Sequence, residues 1–243
     1  MIHARRCSPQ QVAGLHEKFL GDGLGALGSP GGHSPKVGSE VALPRVAMPP
    51  VRLLNMERPP VEVYEIPSGT KGTIATLKMM KKLVMGPWGA RSPQLVFLAR
   101  SIVQHIGSKD YWHEAQAIFE YVKANVRYRL DPTALEWIQT PVYTLQTQQG
   151  DCDDMSSLLA AMALAVGHRA AFVTVAGDPG RPDSYSHVYA MIGVTRNGKT
   201  EWLAADATQN QATIGWEPPG EKVFKKTVWV IDPNIAVEDE QWH

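Results

Sequence analysis

Cys152 heads the run "QQGDCDDMSSLLAAMALAVG" (residues 148–167), with aspartates at 151, 153 and 154 around it. Asp151 has the character of a helix N-cap, with Asp154 as its partner three residues on. Cys152 is therefore expected at the first helical position. There the unpaired amides and the helix dipole favour an anion and lower a thiol's pKa. The same amides can hold a developing oxyanion. The aspartates act in opposition, because negative neighbours disfavour a thiolate. Three roles fit: a nucleophile activated by an imidazolium partner, a ligand in a Cys/Asp metal cluster, or a small buried hydrophobe that opens a helix. Neither a second cysteine nor a paired-histidine spacing accompanies the cluster, which disfavours a metal.

A second feature supplies the imidazole. "VTRNGKTEW" carries Asn197-Gly198 between two strand-like runs, a strong hairpin signal. A two-residue turn there pairs Arg196 with Lys199, and so Tyr189 with Asp206 and His187 with Thr208. His187 and Asp206 then share one face as diagonal neighbours. The opposite face carries Val188, Ala190, Ile192 and Val194, an apolar set for a core. A one-residue slip would turn His187 into that core, so the pattern selects the register. A carboxylate bonded to one imidazole nitrogen fixes the tautomer and leaves the other nitrogen as a base. A structural His–Asp pair fits the same residues in a chain with eight histidines.

The elements that position these groups follow from periodicity. "TIATLKMMKKLVMG" places Ile74, Leu77, Met80, Lys81 and Val84 at helical spacing before Gly86-Pro87. "SPQLVFLARSIVQHIG" predicts a second helix from Ser92-Pro93 to Gly107. "DYWHEAQAIFEYVKANVRY" predicts a third, capped by Asp110 or Ser108, with Ala115, Ile118, Phe119 and Val122 inside. The fourth starts at Cys152, buries Leu158, Leu159, Met162 and Leu164, and ends at Gly167. Then the period changes. "AAFVTVAG", "SHVYAMIGV", "TEWLAADAT" and "KKTVWVID" are strand-like. Helices followed by strands predict an α+β domain with helices packed on a mainly antiparallel sheet.

That domain is expected over residues 61–243, preceded by an extended arm over residues 1–60. The arm has a short amphipathic helix near residues 9–20, then seven glycines within residues 21–38, then the proline-stiffened "LPRVAMPPVRLLNMERPP". A disordered leader and a docking arm both fit it.

The 243 residues are 44% hydrophobic and 20% charged, with Lys+Arg and Asp+Glu both 24. Charge balance gives no reason to expect nucleic acid or an anionic membrane as a partner. No run has the length of a signal peptide core or a membrane span. Cys7 and Cys152 are too few for a disulfide framework, so the expectation is a soluble protein, cytoplasmic when made.

"GDCDDMSSLLAAMALAVGHRAAFVTVAG", "YSHVYAMI" and "WLAADAT" together resemble the core of the transglutaminase-like superfamily. They are especially similar to phage- and prophage-type transglutaminase-like cysteine peptidases. The resemblance extends upstream through "AIFEYVKANVRYRLDPTALEWIQTPVYTLQTQQ" and covers residues 62–216. It implies a papain-like fold with Cys152 as nucleophile, His187 as general base and acid, and Asp206 as the residue orienting the imidazole. The implied reaction is hydrolysis of a peptide or isopeptide amide through a thioester, without cofactor or metal. For the oxyanion, the resemblance offers Gln146, six residues before the thiol, and Gln139, in "IQTP", beside the Cys152 amide. Asp153 stands where crosslinking transglutaminases carry an aromatic residue, which favours hydrolysis over crosslinking. The implied partners are a protein or peptide substrate and, through the arm, a larger assembly such as a phage head or tail. A virion subunit that keeps the fold without activity is the structural alternative.

Overall fold

The computed structural model describes residues 2–4, 62–63, 65–132 and 136–234. Cys7, the helix expected near residues 9–20 and the glycine-rich stretch lie outside the described residues.

Helices precede the main sheet in the order expected. α1 (Thr70–Met85) buries Leu77, Met80, Lys81 and Val84, and α2 (Pro93–Val103) opens with Pro93 after Ser92. α2 ends four residues before Gly107, the expected stop. α3 (Tyr111–Asn125) is capped by Asp110 and buries the four residues its stripe predicts. The last helix, α5 (Cys152–Ala165), starts where its cap predicts. Every residue from Asp153 to Ala163 on it is buried, so it is an enclosed central helix rather than an amphipathic surface one. It packs against α1, α2, α3 and two strands of the sheet.

The main sheet is antiparallel, formed by β6 (Arg169–Ala176), β7 (His187–Arg196), β8 (Lys199–Ala205) and β9 (Lys225–Ile231) in the order β8-β7-β6-β9. β7 pairs with β8 from Arg196↔Lys199 to Ala190↔Ala205, the register expected from the turn. Asn197 and Gly198 have φ of 50° and 72°, and both central positions of a tight turn of this hand require positive values. Val188, Ala190, Ile192 and Val194 face the main core, as the alternation predicts. Tyr189 joins Val173, Val175 and Ala204 in a smaller cluster on the other face.

Two small ladders and one short helix had no clear signal in the sequence. β3 (Arg127–Tyr128) pairs in parallel with β5 (Gln149–Gly150), directly before the helix that carries the thiol. β4 (Glu136–Ile138) pairs antiparallel with β1 (Ile2–Ala4), which also pairs in parallel with β2 (Glu62–Val63). The start of the expected arm is thus tied into the domain through its backbone. α4 (Pro141–Thr147) follows β4, with Thr140 as cap and Pro141 at its first position, and packs on α5. No helix among the described residues is long and apolar enough to cross a membrane.

Candidate active site

The head of α5 is built around Asp151 and Asp154. Asp151 Oδ1 accepts from the amides of Asp153 (3.0 Å) and Asp154 (3.4 Å), and Asp154 Oδ2 accepts from the Asp151 amide (3.4 Å). This reciprocal arrangement is the capping box that the spacing predicts. Gly150 is needed beside it, because a Cβ there would lie 2.5 Å from that of Asp154. The Cys152 amide has no acceptor among the described residues, so one first-turn donor stays free beside the sulfur.

α5 is keyed to β7 next to the imidazole. Ser156, one turn after Cys152, donates to the Val188 carbonyl at 3.3 Å, and the Val188 amide is directed at the Cys152 sulfur. Val188 follows His187 directly, so this contact brings the thiol alongside the start of the strand that carries the imidazole. His187 Nε2 lies 2.8 Å from Asp206 Oδ2, with both side chains nearly inaccessible to solvent. Thr208 holds the other carboxylate oxygen, its amide at 3.1 Å and its hydroxyl at 2.6 Å. With Nε2 engaged, Nδ1 is the nitrogen left for a reacting group.

Burial raises the carboxyl pKa of Asp206, but the charge and hydrogen bond of His187 and the bonds from Thr208 outweigh it and hold the group below its ordinary value. Burial likewise pulls His187 down, and the charge and hydrogen bond of Asp206, helped by Asp153, turn the net shift upward. Burial pushes the Cys152 thiol well above its ordinary value, Asp153 and Asp151 push it further, and the Val188 amide offsets part. In the resting site the sulfur therefore holds its proton. The contest between helix dipole and aspartates, open at the level of sequence, goes to burial and the aspartates.

The aspartates do more than complement a dipole. Asp153, only 7% exposed, has Oδ1 at 3.6 Å from Cys152 Sγ. It also shares a hydrogen bond with the Glu136 carboxyl of β4, and such a bond between two carboxyl groups requires a proton. Burial pushes Glu136 up to about 7 against the lowering effect of that bond. Asp154, fully buried, accepts from the Gln139 amide at 2.7 Å and from Gln139 Nε2. Gln139 Nε2 donates its other proton to the Gln149 carbonyl at 3.3 Å. Both side-chain protons of Gln139 are thus committed to holding the head of α5, which removes it as an oxyanion donor in this state. Gln146 lies half-buried on α4. Among the described residues, Asp151, Cys152 and Asp153 present ligand atoms within 4.8 Å of one another, close enough to reach a single cation.

Sequence reasoning missed Glu136, Tyr128 and Thr208. Tyr128 comes to the site through the β3–β5 ladder, and burial first, then Cys152 and the nearby carboxylates, raise its hydroxyl pKa. Glu136 could have been found only as a carboxylate in the otherwise apolar "ALEWI". Thr208 was visible as the hydroxyl two residues after Asp206, a local turn pairing.

Residues 98–207 match the transglutaminase-like superfamily, a span that contains Cys152, His187 and Asp206 and is just under half of the 243-residue chain. It falls within residues 62–216, the span of the resemblance, and it does not distinguish the phage-type branch. No curated protein matches by sequence. Among solved structures, a Cytophaga hutchinsonii protein assigned as a cysteine protease aligns at 20% identity and TM-score 0.42, over 57% of this chain and 43% of that one. A Parabacteroides distasonis protein assigned as a protease aligns at 14% identity and TM-score 0.40, over 60% of this chain and 32% of that one. The chain thus spans less than half the length of these two. Legionella pneumophila LapG aligns at 14% identity and TM-score 0.40, over 65% of this chain and 87% of that one.

Proposed function

We propose, taking residues 98–207 as a transglutaminase-like domain of helices on an antiparallel sheet, that the protein is a thiol-dependent hydrolase of peptide or isopeptide amides. The observation that carries this reading is the buried His187–Asp206 pair at 2.8 Å, set on the strand against which the head of the Cys152 helix is keyed.

In this reading the Cys152 thiol gives its proton to His187 Nδ1 as the sulfur attacks the amide carbonyl. A C–S bond forms and the carbonyl electrons move to oxygen, which the free Cys152 amide is placed to meet. Collapse breaks the C–N bond, and the departing amine takes the proton from His187. A thioester remains. His187 then takes a proton from water as it attacks the thioester, releasing a carboxylic acid and restoring the thiol. Asp206 stays ionised throughout and holds the ring in one tautomer. The raised thiol pKa means that proton transfer accompanies substrate binding instead of preceding it. A substrate that displaces the Asp153 contact, which helps hold the thiol pKa up, would start it.

The decisive measurement is trapping of the acyl group on Cys152 from a lysate of the source, read by intact and peptide mass. A thioester-linked fragment on Cys152 that is absent in His187→Ala supports the reading. A Cys152 that stays unmodified by any acyl donor or alkylating agent in the folded protein defeats it. Adding a primary amine separates the two fates of the thioester: a free acid marks hydrolysis, an amide marks transfer.

A further inference from the structure

β4 has two edges of different character. On one, the Trp137 amide donates to the Asp131 carboxylate and the Gln139 amide to Asp154. Amides two residues apart point to the same edge, so side-chain carboxylates close that edge. The other edge pairs with β1, Ile2 opposite Ile138, His3 opposite Trp137 and Ala4 opposite Glu136. Since the Trp137 amide is turned to Asp131, antiparallel alternation directs the backbone groups of Glu136 and Ile138 toward β1. The strand also lies beside the thiol, because the Glu136 carboxyl bonds Asp153, whose Oδ1 is 3.6 Å from Cys152 Sγ.

We propose that this outer edge of β4 is the rail on which an extended polypeptide substrate adds as a strand, and that Ile2–Ala4 occupy it in the resting protein. The proposal rests on the thiol-hydrolase reading and specifies its substrate as a chain presented in extended form, recognised through its backbone. Strand addition of this kind is tolerant of sequence. The hold of β1 is short, with three residues paired on β4 and two on β2. Each backbone hydrogen bond contributes little net, so a longer extended chain can displace it. Direction follows as well. A substrate entering in the sense of β1 lays its N-terminal end opposite Ile138 and its C-terminal end opposite Glu136.

The test uses the full chain and Ala4→Pro, which removes the amide that alternation aims at Glu136. Hydrogen exchange at the Glu136 and Ile138 amides reads strand occupancy without reference to activity. Protection is expected to fall by about tenfold in Ala4→Pro and to return when the synthetic peptide MIHARR is added in trans. Alkylation of Cys152 by an acetyl-tetrapeptide vinyl sulfone is expected to accelerate several-fold in the variant, and MIHARR to slow it. Iodoacetamide, which needs no rail, is expected to react equally with both proteins. Unprotected Glu136 and Ile138 amides in the parent protein would overturn the occupancy by β1. Protection lost with no change in the vinyl sulfone rate would overturn the rail. A Cys152 inert to both reagents would refute the hydrolase reading, and the exchange data would still decide whether the edge accepts a strand.

Discussion

Across the β7–β8 hairpin, His187 Nε2 meets Asp206 Oδ2 at 2.8 Å while Thr208 grips the other oxygen of that carboxylate. The pair is therefore oriented from both sides, and its loss should be felt as lost orientation. Asp206→Asn is expected to lower kcat by roughly 10²- to 10⁴-fold with little change in KM, because the amide no longer fixes the tautomer. Thr208→Val, which removes one of the two restraints, is expected to cost about tenfold. Steady-state kinetics on the two variants check both.

The thiol should alkylate slowly near neutral pH. Burial, Asp153 and Asp151 all hold its pKa up. The iodoacetamide rate at Cys152 is expected to rise only on the alkaline side of the ordinary thiol range. Asp153→Asn is expected to move that rise toward neutral pH. Peptide mass mapping of the alkylated site over a pH series measures it.

Stability should fall as pH rises through neutrality. Glu136 has an ordinary value of 4.5 and stands at about 7 in the folded protein, so the folded state binds the extra proton between those values. Its contribution is fully present below the unfolded pKa and is lost as pH climbs through the folded one. His187, also raised, acts in the same sense, and Asp206, lowered, acts oppositely and only in acid. The Tm is therefore expected to rise from about pH 8 to about pH 5, and Glu136→Gln to flatten that slope. Scanning calorimetry across this range decides the matter.

Asp154 holds both the helix cap and Gln139. Asp154→Ala removes the capping-box partner and leaves the Gln139 amide and one of its side-chain protons without an acceptor at a half-buried position. A loss of about 2–4 kcal/mol is expected, the sum of a cap and an unpaired donor. Urea denaturation monitored by circular dichroism gives the number.

Much of this was legible in the sequence where the determinants are local. Asn197-Gly198 sets the register that joins His187 to Asp206, and Asp151 with Asp154 sets the start of α5; both signals act within four residues. What escaped was carried by distant or minimal pairings. β1, β3, β4 and β5 are two or three residues long, too short for alternation to show. The Glu136–Asp153 bond runs against the expectation that like charges separate, because only burial makes two carboxyl groups share a proton. The double duty of Gln139 depends on that same fold-back. It could not be read from the "IQTP" element that suggested an oxyanion role.

The enclosure of α5 has a consequence for how such a site can change over time. Its residues from Asp153 to Ala163 are all buried. Their amides should therefore exchange only when the whole domain opens, and the nucleophile's position is tied to global stability. Substitutions there would disturb packing on several sides at once. New substrate preferences are thus more readily acquired in the 177–186 connection, most of it exposed, than in the helix that bears the thiol. A conserved engine behind an exchangeable front is the evolutionary pattern this architecture permits.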